Sequence, residues 1–467
     1  MLIKKSKLSQ VIKWLFAKPA RTIVLSFLFV DLIGTILLML PVSAQSGQSI
    51  GLLDALFTTV SCTCVTGLVV FDTATTFTTF GKCVIIALIQ IGGLGLVTIT
   101  TFFINLARKK VGLRTRVVAA DASGSFSYLE LPQLIKSIML TTLVIECTGF
   151  VVLATQFVPL FGWKSGLACA GFQAVSAFCN AGFDLMGDKT GPYSSLTAFN
   201  GYPVVIIATG FLIIFGGLGF TVWRDIVEWR KTRKLRLHSK IAIIMTSFLV
   251  IGGTLFFMLA EWSNTGSQAL GTLPVWQRPI AAFFQSVTLR TAGFNSINQS
   301  NLFAESKLIS VILMFIGAGS GSTGGGIKIS TFAVLMYTII SDIHGKGVVT
   351  MKNYRIPSSL VRRAITIFFL GLAIMLGLSL ALSFAEHEAL RAGQFGYLDL
   401  LFEAASAFGT VGVTSANTPI LTQLSQWLII PAMFLGRVGP ATFAISLAMQ
   451  DEKEQANVYP DAKVQIG

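Results

Sequence analysis

Four short stretches of this chain end in the same way, on a glycine between small or apolar residues: CVTGL from Cys64 to Leu68, CNAGF from Cys179 to Phe183, RTAGF from Arg290 to Phe294 and GTVGV from Gly409 to Val413. Each has a similar lead-in, FTTVS from Phe57, FQAVS from Phe172, FQSVT from Phe284 and FEAAS from Phe402. The glycine falls ten residues after that phenylalanine in three copies and nine after it in the third. Gly67, Gly182, Gly293 and Gly412 are 115, 111 and 119 residues apart, so one unit occurs four times. A unit with four copies can close a ring. Glycine at the meeting point lets backbone carbonyls line a narrow passage, where they replace the water of a dehydrated cation. The alternative use of such glycines is as helix caps or close-packing points of an ordinary transporter. Four in register, each with its lead-in and a following apolar span, favour the filter.

The solvent is a membrane. The chain is 53% apolar and 12% charged, with a mean hydropathy of +0.74, and it carries several apolar runs of about 20 residues, the length that crosses the hydrocarbon. No polar stretch is long enough to build a core of its own. The first apolar run, from Thr22, has no small-residue cleavage site and leads into Pro41, so it is expected to remain as a span. The net charge of +14 would suit nucleic acid, but its distribution does not. Of the 35 Lys and Arg, 26 fall in 1–21, 106–136, 223–240, 342–363 and 451–467, on one side of the expected topology. The positive-inside rule accounts for them, and these loops lack the aromatic and basic interleaving of a nucleic-acid face.

The expected fold is an all-α membrane protein of four tandem units, each an outer helix, a re-entrant pore half-helix with its filter, and an inner helix, set pseudo-four-fold around one central pore. The boundaries read as a basic tail 1–21, unit one 22–107, unit two 137–230, unit three 240–341, unit four 363–450 and a second tail 451–467. The spans are Thr22–Leu40 and Val84–Ile104, Ser137–Val158 and Val204–Trp223, Ile241–Ala260 and one from Leu308, and Ala364–Phe384 and Trp427–Met449. The half-helices Asp54–Cys62, Lys164–Phe178, Ile280–Leu289 and Leu398–Phe408 are too short to cross. From each filter glycine to the glycine of the following span, Gly92, Gly216, Gly317 and Gly436, the count is 25, 34, 24 and 24. Eight full spans place both termini in the cytoplasm and all four filters outside, with the negative ends of the half-helix dipoles toward the passage.

The candidate filter is therefore Val65, Thr66 and Gly67 with Asn180, Ala181 and Gly182, Thr291, Ala292 and Gly293, and Thr410, Val411 and Gly412. The third inner span departs from its siblings in GAGSGSTGGGIK. Gly317, Gly319, Ser320, Gly321, Ser322, Thr323, Gly324, Gly325 and Gly326 cannot form a continuous helix, since each interior glycine costs about 1 kcal/mol against alanine. Irregular backbone at that depth must line a cavity, and 317–326 is read as an intramembrane loop that obstructs the passage and moves to open it. The GxGxxG inside it lacks the strand and crossover of a dinucleotide site. Arg437, a charge within a span, reads as a barrier below the filter or a latch on the loop carbonyls; the alternative is a structural pair with Glu403 or Glu146. Arg290 is expected to brace the filter backbone from behind. Lys328 faces either the passage or the cytoplasm. Asp31 and Glu146, in first spans, pair inside the bundle or touch an ion path. The six cysteines and scattered His238, His344 and His387 offer no metal cluster, and no nucleophile, base and orienting group converge, so an enzyme is not expected.

The segments TVSCTCVTGL, FCNAGF, VTLRTAGFNS and SAFGTVGVT, the GAGSGSTGGGIK loop and FLGRVGP resemble the Trk/Ktr/HKT superfamily of potassium transporters over about residues 20–450. With some 20 residues before the first span, the chain is more similar to the KtrB branch, the membrane subunit of Ktr potassium uptake, than to TrkH. The resemblance implies a potassium-translocating homodimer with one pore per subunit, in a bacterial plasma membrane, regulated by a KtrA-like cytoplasmic ring. Potassium would occupy the filter, nucleotide would bind the partner and not this chain, and uptake would be sodium-dependent. Glycine at all four filter positions resembles the potassium-selective pattern. From the residues alone, an ion-coupled secondary transporter of another solute, or a less selective monovalent cation channel, stays open.

Overall fold

A computed structural model describes residues 19–95, 98, 131–351, 354–439 and 442–443. Residues 1–18 of the expected N-terminal tail, the C-terminal tail, the loop 106–130, the end of the first inner span and the last residues of the fourth lie outside the described residues, whereas 19–21 of the expected tail belong to the first helix. Unit one contributes α1 (Pro19–Met39), α2 (Leu52–Thr63) and α3 (Thr79–Leu94). Unit two contributes α4 (Leu131–Phe161), α5 (Trp163–Cys179), α6 (Pro203–Leu218) and its continuation α7 (Phe220–Thr232). Unit three has α8 (Leu237–Ala260), α9 (Arg278–Thr288), α10 (Ala304–Phe315) and α11 (Ile329–Ile343), and unit four has α12 (Ser358–Ala385), α13 (Tyr397–Gly409) and α14 (Gln423–Val438). A two-residue ribbon pairs Thr350–Met351 with Tyr354–Arg355 between α11 and α12.

The outer helices α1, α4, α8 and α12 are apolar around their circumference and expose much of it, including Leu28, Phe29 and Leu32 on α1 and Phe248, Ile251 and Leu255 on α8. Such a helix is stable only against hydrocarbon. The half-helices are the reverse. At 12, 17, 11 and 13 residues they are roughly 16–26 Å long by helical rise, too short to cross, and their lead-in phenylalanines Phe57, Phe172, Phe284 and Phe402 are all buried.

Each half-helix packs on the outer helix of its own unit, α2 on α1, α5 on α4, α9 on α8 and α13 on α12. Each inner helix also reaches the half-helix of the next unit: α3 meets α5, α6 meets α9, α10 meets α13, and α14 returns to α2. The chain order thus closes into a cycle. The core is correspondingly divided. One apolar cluster joins units three and four with Phe57 and Leu68, the other joins units one and two with Phe284 and Phe294.

The sequence reading expects eight spans with a break in the third inner one; within the described residues the other inner helices end as well, each at a single glycine. Among the described residues four helices, the outer ones, are long and apolar enough to cross alone, and a fifth span exists only if α6 and α7, bent by 94°, are taken as one. α3, α6 and α14 stop at Gly95, Gly219 and Gly439, with φ of +80°, +101° and +90°. A single glycine in a left-handed conformation is enough to end a helix, whereas the sequence pattern weighted only the density of glycines in unit three. The break is common to all four copies. What distinguishes the third is that α10 ends four residues sooner in register, at Phe315, and a loop separates it from α11.

The conserved internal spacing has a contact behind it. A Cβ on Gly92, Gly216 or Gly436 would strike the carbonyl oxygen of Thr63, Phe178 or Phe408, at the end of the half-helix in the same unit. The inner helix can approach only where there is no side chain. In unit three Gly317 instead abuts the Gly325 carbonyl, within the loop itself.

Candidate functional site

The four candidate filter segments share one backbone conformation. Val65, Asn180, Thr291 and Thr410 have φ of +57°, +60°, +66° and +50°, and the glycines two residues later, Gly67, Gly182, Gly293 and Gly412, have +90°, +71°, +87° and +98°. The residue between each pair is not left-handed. Alternating handedness turns successive amides to one side and carbonyls to the other. The amides turn to the half-helix. Thr66, Ala181 and Val411 N–H donate to the carbonyls of Ser61, Ser176 and Ser406 at 2.8 Å, and Ala292 N–H donates to Thr288 at 3.0 Å. Gly67 and Gly412 N–H donate to the hydroxyls of Ser61 and Ser406 at 3.1 and 3.0 Å. The Ser61 hydroxyl donates onward to the Leu68 carbonyl at 2.7 Å, and Thr288 does the same to Phe294 at 2.6 Å.

The carbonyls turn to the neighbouring segment. A Cβ on Gly67 would lie 2.7 Å from the Ala181 oxygen, on Gly182 2.9 Å from Ala292, and on Gly293 2.7 Å from Val411. On Gly412 it would collide with the Thr66 oxygen, which completes the circuit. Each glycine is therefore required twice, by its φ and by the carbonyl that occupies the place of its missing side chain.

On one side of this ring is a small cleft of about 80 Å3, open to solvent and walled by the four glycines with Asp72, Asp184 and Tyr193. Asp72 is fixed by the N–H groups of Ala74, Thr75 and Tyr193 at 2.9–3.0 Å. Burial pushes the Asp184 carboxyl up to about 6, against the N–H of Met186 at 3.0 Å, with Asp72 pushing the same way as burial. Glu403, buried in α13, accepts from the hydroxyls of Thr414 at 2.7 Å and Thr418 at 2.5 Å, tying down the segment that follows Gly412. Gln285 and Gln299 do this in unit three through reciprocal amide bonds of 2.7 and 2.9 Å.

On the other side lies the loop 317–328, held mainly by its carbonyls. Arg437 donates to the Thr323 carbonyl with one nitrogen and to Gly92 and Gly93 with another, so its guanidinium joins the end of α3 to the loop. Lys328 Nζ donates to Gly324 at 2.6 Å and Arg290 to Gly317 at 3.3 Å. Gly319 N–H reaches the Gly217 carbonyl at 2.8 Å, Phe220 N–H reaches Gly321 at 2.8 Å, and the Thr323 hydroxyl reaches Phe178 at 3.2 Å. Ser322 bonds Gly319 within the loop at 2.6 Å, and Ser320 meets Ser330 at 2.7 Å.

All twelve candidate filter residues thus lie on four equivalent segments, and the loop residues lie on the side of the ring away from the cleft. Arg437 contacts loop and helix carbonyls; among the described residues neither Glu403 nor Glu146 pairs with it. Arg290 bonds the loop rather than the filter it precedes, because its side chain runs away from the segment that its backbone begins. Lys328 turns to the loop. Asp31 accepts from Thr63 at 2.5 Å and Glu146 from Gln90 at 3.4 Å, both at half-helix ends or beside them. The sequence reading missed the anchors Ser61, Ser406, Thr288 and Glu403. In the sequence they are the hydroxyl that closes each lead-in and the polar residue after its phenylalanine, positions that do not show which group each will meet.

Residues 4–458 match the family described as TrkH, cation transport protein. The chain belongs to this family. As a member of the TrkH family it is a multi-pass membrane protein. It is 38% identical to the Ktr system potassium uptake protein B of Bacillus subtilis over the full length of both. It is also 38% identical to the potassium/sodium uptake protein NtpJ of Enterococcus hirae, over 96% of this chain and 97% of that one. The crystal structure of the potassium transporter TrkH from Vibrio parahaemolyticus superposes with a TM-score of 0.67 at 17% identity, over 91% of this chain and 84% of that one, and so shares the fold.

Proposed function

We propose that this TrkH-family chain is the membrane subunit of a potassium uptake system of the Ktr kind, with its four units pseudo-four-fold about one conducting pore. The observation that carries this reading is the closed circuit of glycines and carbonyls running 67, 182, 293, 412 and back to 67. Main-chain oxygens from four segments replace the water of a dehydrated monovalent cation, with the negative ends of four half-helix dipoles behind them. The ligands are the backbones of Val65, Thr66 and Gly67, Asn180, Ala181 and Gly182, Thr291, Ala292 and Gly293, and Thr410, Val411 and Gly412. The loop 317–326, pinned by Arg437, blocks the inner end and is released by a cytoplasmic nucleotide-binding partner. The assembly is a homodimer in a bacterial plasma membrane, with both chain termini in the cytoplasm and the acidic cleft outside.

The relative named for potassium and sodium uptake supports a second reading, in which sodium travels with potassium or drives it. The test is 86Rb+ uptake, with 22Na+ flux in parallel, by bacteria lacking their own potassium uptake systems. The chain should restore growth on limiting potassium together with rubidium uptake, and Gly293→Ser should lower rubidium preference over sodium. Growth and uptake no better than in empty-vector cells contradict the proposal.

A further inference from the structure

We propose that α4, α6 and α7 together form a binding site for one anionic phospholipid, in the leaflet on the loop side of the ring, with an acyl chain in the groove between α4 and α6 and the phosphate on Arg230 and Lys231 of α7. It rests on the chain's place in a membrane and not on the ring being an ion path. The groove has a volume of about 220 Å3 and is walled by Val144, Ile145, Val152, Ala208, Phe211 and Phe215. Its one hydroxyl, that of Thr148, is turned back to the Val144 carbonyl of its own helix at 2.7 Å. The two helices meet at its floor, where Gly149 leaves room for Leu212. A groove between helices of a membrane protein, with no side-chain polar group left to offer, fits hydrocarbon.

The groove leads to a cationic helix. Phe215, one of its walls, packs edge-on against Trp223 of α7 with ring centres 5.1 Å apart, and the Trp223 indole N–H donates to the Phe215 carbonyl at 2.9 Å. Trp223, Val227 and Arg230 then follow one another along a single face of α7, with Lys231 beside them. Val227 is 61% exposed, an apolar side chain standing among cations, and the boundary between headgroups and acyl chains accommodates both. α7 turns 94° from α6 and packs against α4 and α8, with Asp225 accepting from Ser239, the third residue of α8, at 2.5 Å. It therefore lies where the outer helices begin. On α4 the exposed Lys136 precedes Val144 by eight residues, about 12 Å of helical rise, so cations stand near the headgroups when the groove lies in hydrocarbon. The charge is one-sided. Residues 220–240 carry seven Lys and Arg against two carboxylates, and those two already face Arg224, Arg236 and Ser239. Among the described residues no carboxylate pairs with Arg230 or Lys231. Cations at the membrane surface attract acidic headgroups, and an arginine holds a phosphate through two N–H groups at once.

The test is native mass spectrometry of the full chain released from bilayers of phosphatidylglycerol and phosphatidylcholine in equal amounts. The parent chain should retain phosphatidylglycerol in preference to phosphatidylcholine. Arg230→Gln combined with Lys231→Gln should cut that retention by about threefold or more, and Ala208→Trp, which fills the groove, should do the same. Arg362→Gln combined with Arg363→Gln removes as much exposed charge near the start of α12, and should leave retention within about twofold of the parent. A parent chain with no preference for phosphatidylglycerol overturns the proposal. An equal loss in the α12 variant shows diffuse attraction in place of a site, and retention unchanged by Ala208→Trp shows that no acyl chain occupies the groove; either result overturns it. A dimer lost on Ala208→Trp while lipid retention persists puts a second copy of this chain in the groove and overturns it as well. Should Ala208→Trp fail to fold, Ala208→Leu takes its place under the same criteria.

Discussion

At the scale of single residues, what matters is where each main-chain group is sent. Ser406 accepts the Gly412 N–H inside the protein, and a buried amide left without that acceptor costs about 1–3 kcal/mol. Ser406→Ala should therefore loosen the fourth segment and lower rubidium-over-sodium preference by about tenfold, read as the ratio of 86Rb+ to 22Na+ uptake, with the amount of membrane-inserted protein unchanged. Asp184 gives a pH dependence. Its carboxyl titrates near 6, so acidification through that value removes a negative charge from the wall of the cleft and weakens the attraction that concentrates cations there. Uptake at low external potassium should fall as pH drops from 7 to 5, and Asp184→Asn should give the acid-side rate at every pH. The segments themselves were legible because the glycines repeat at fixed offsets from a phenylalanine. The anchoring hydroxyls were not, because a lone serine in a lead-in carries no sign of which amide it will meet: Ser61 bonds two groups of its segment, while Ser176, at the same offset, bonds none among the described residues through its hydroxyl.

At the scale of elements, the inner helices set the depth of the pore. The half-helix boundaries were legible to within a residue or two, Lys164–Phe178 against Trp163–Cys179 for instance, because a short amphipathic run between apolar spans leaves little freedom. The breaks at Gly95, Gly219 and Gly439 were hidden, since one glycine in an apolar run reads equally well as a packing point. Their consequence is mechanical. The α6–α7 corner at Gly219 places Gly217 and Phe220 where they bond the loop of unit three, so a break in one unit supports the gate of another. Arg437 is the principal charged anchor of that gate, and a charge-assisted hydrogen bond contributes about 1.5–3 kcal/mol. Arg437→Ala should raise rubidium flux by about tenfold or more in proteoliposomes without any partner protein; flux equal to that of the parent chain would remove Arg437 from the gate. Gly219→Ala should act in the same direction. Its methyl meets the Ser320 carbonyl at 2.6 Å, and its φ of +101° is unfavourable for any other residue.

At the scale of the whole molecule, the packing of each inner helix on the next half-helix, with α14 returning to α2, makes the ring a joint product of four units. The period of about 115 residues foretold the copies, and positive charge concentrated in alternate loops agreed with a membrane. Which unit neighbours which could not be read from the sequence, because contacts such as Arg437 with Gly92 join residues far apart in the chain. A ring of this kind predicts equivalence: no single segment should determine selectivity alone. The most direct test is the rubidium-to-sodium uptake ratio of four separate variants, Gly67→Ser, Gly182→Ser, Gly293→Ser and Gly412→Ser, in proteoliposomes of matched protein content. Every one of the four should lower the ratio severalfold or abolish uptake. A variant that keeps the parent ratio and rate would show that its segment does not line the ion path, and would contradict the four-membered filter.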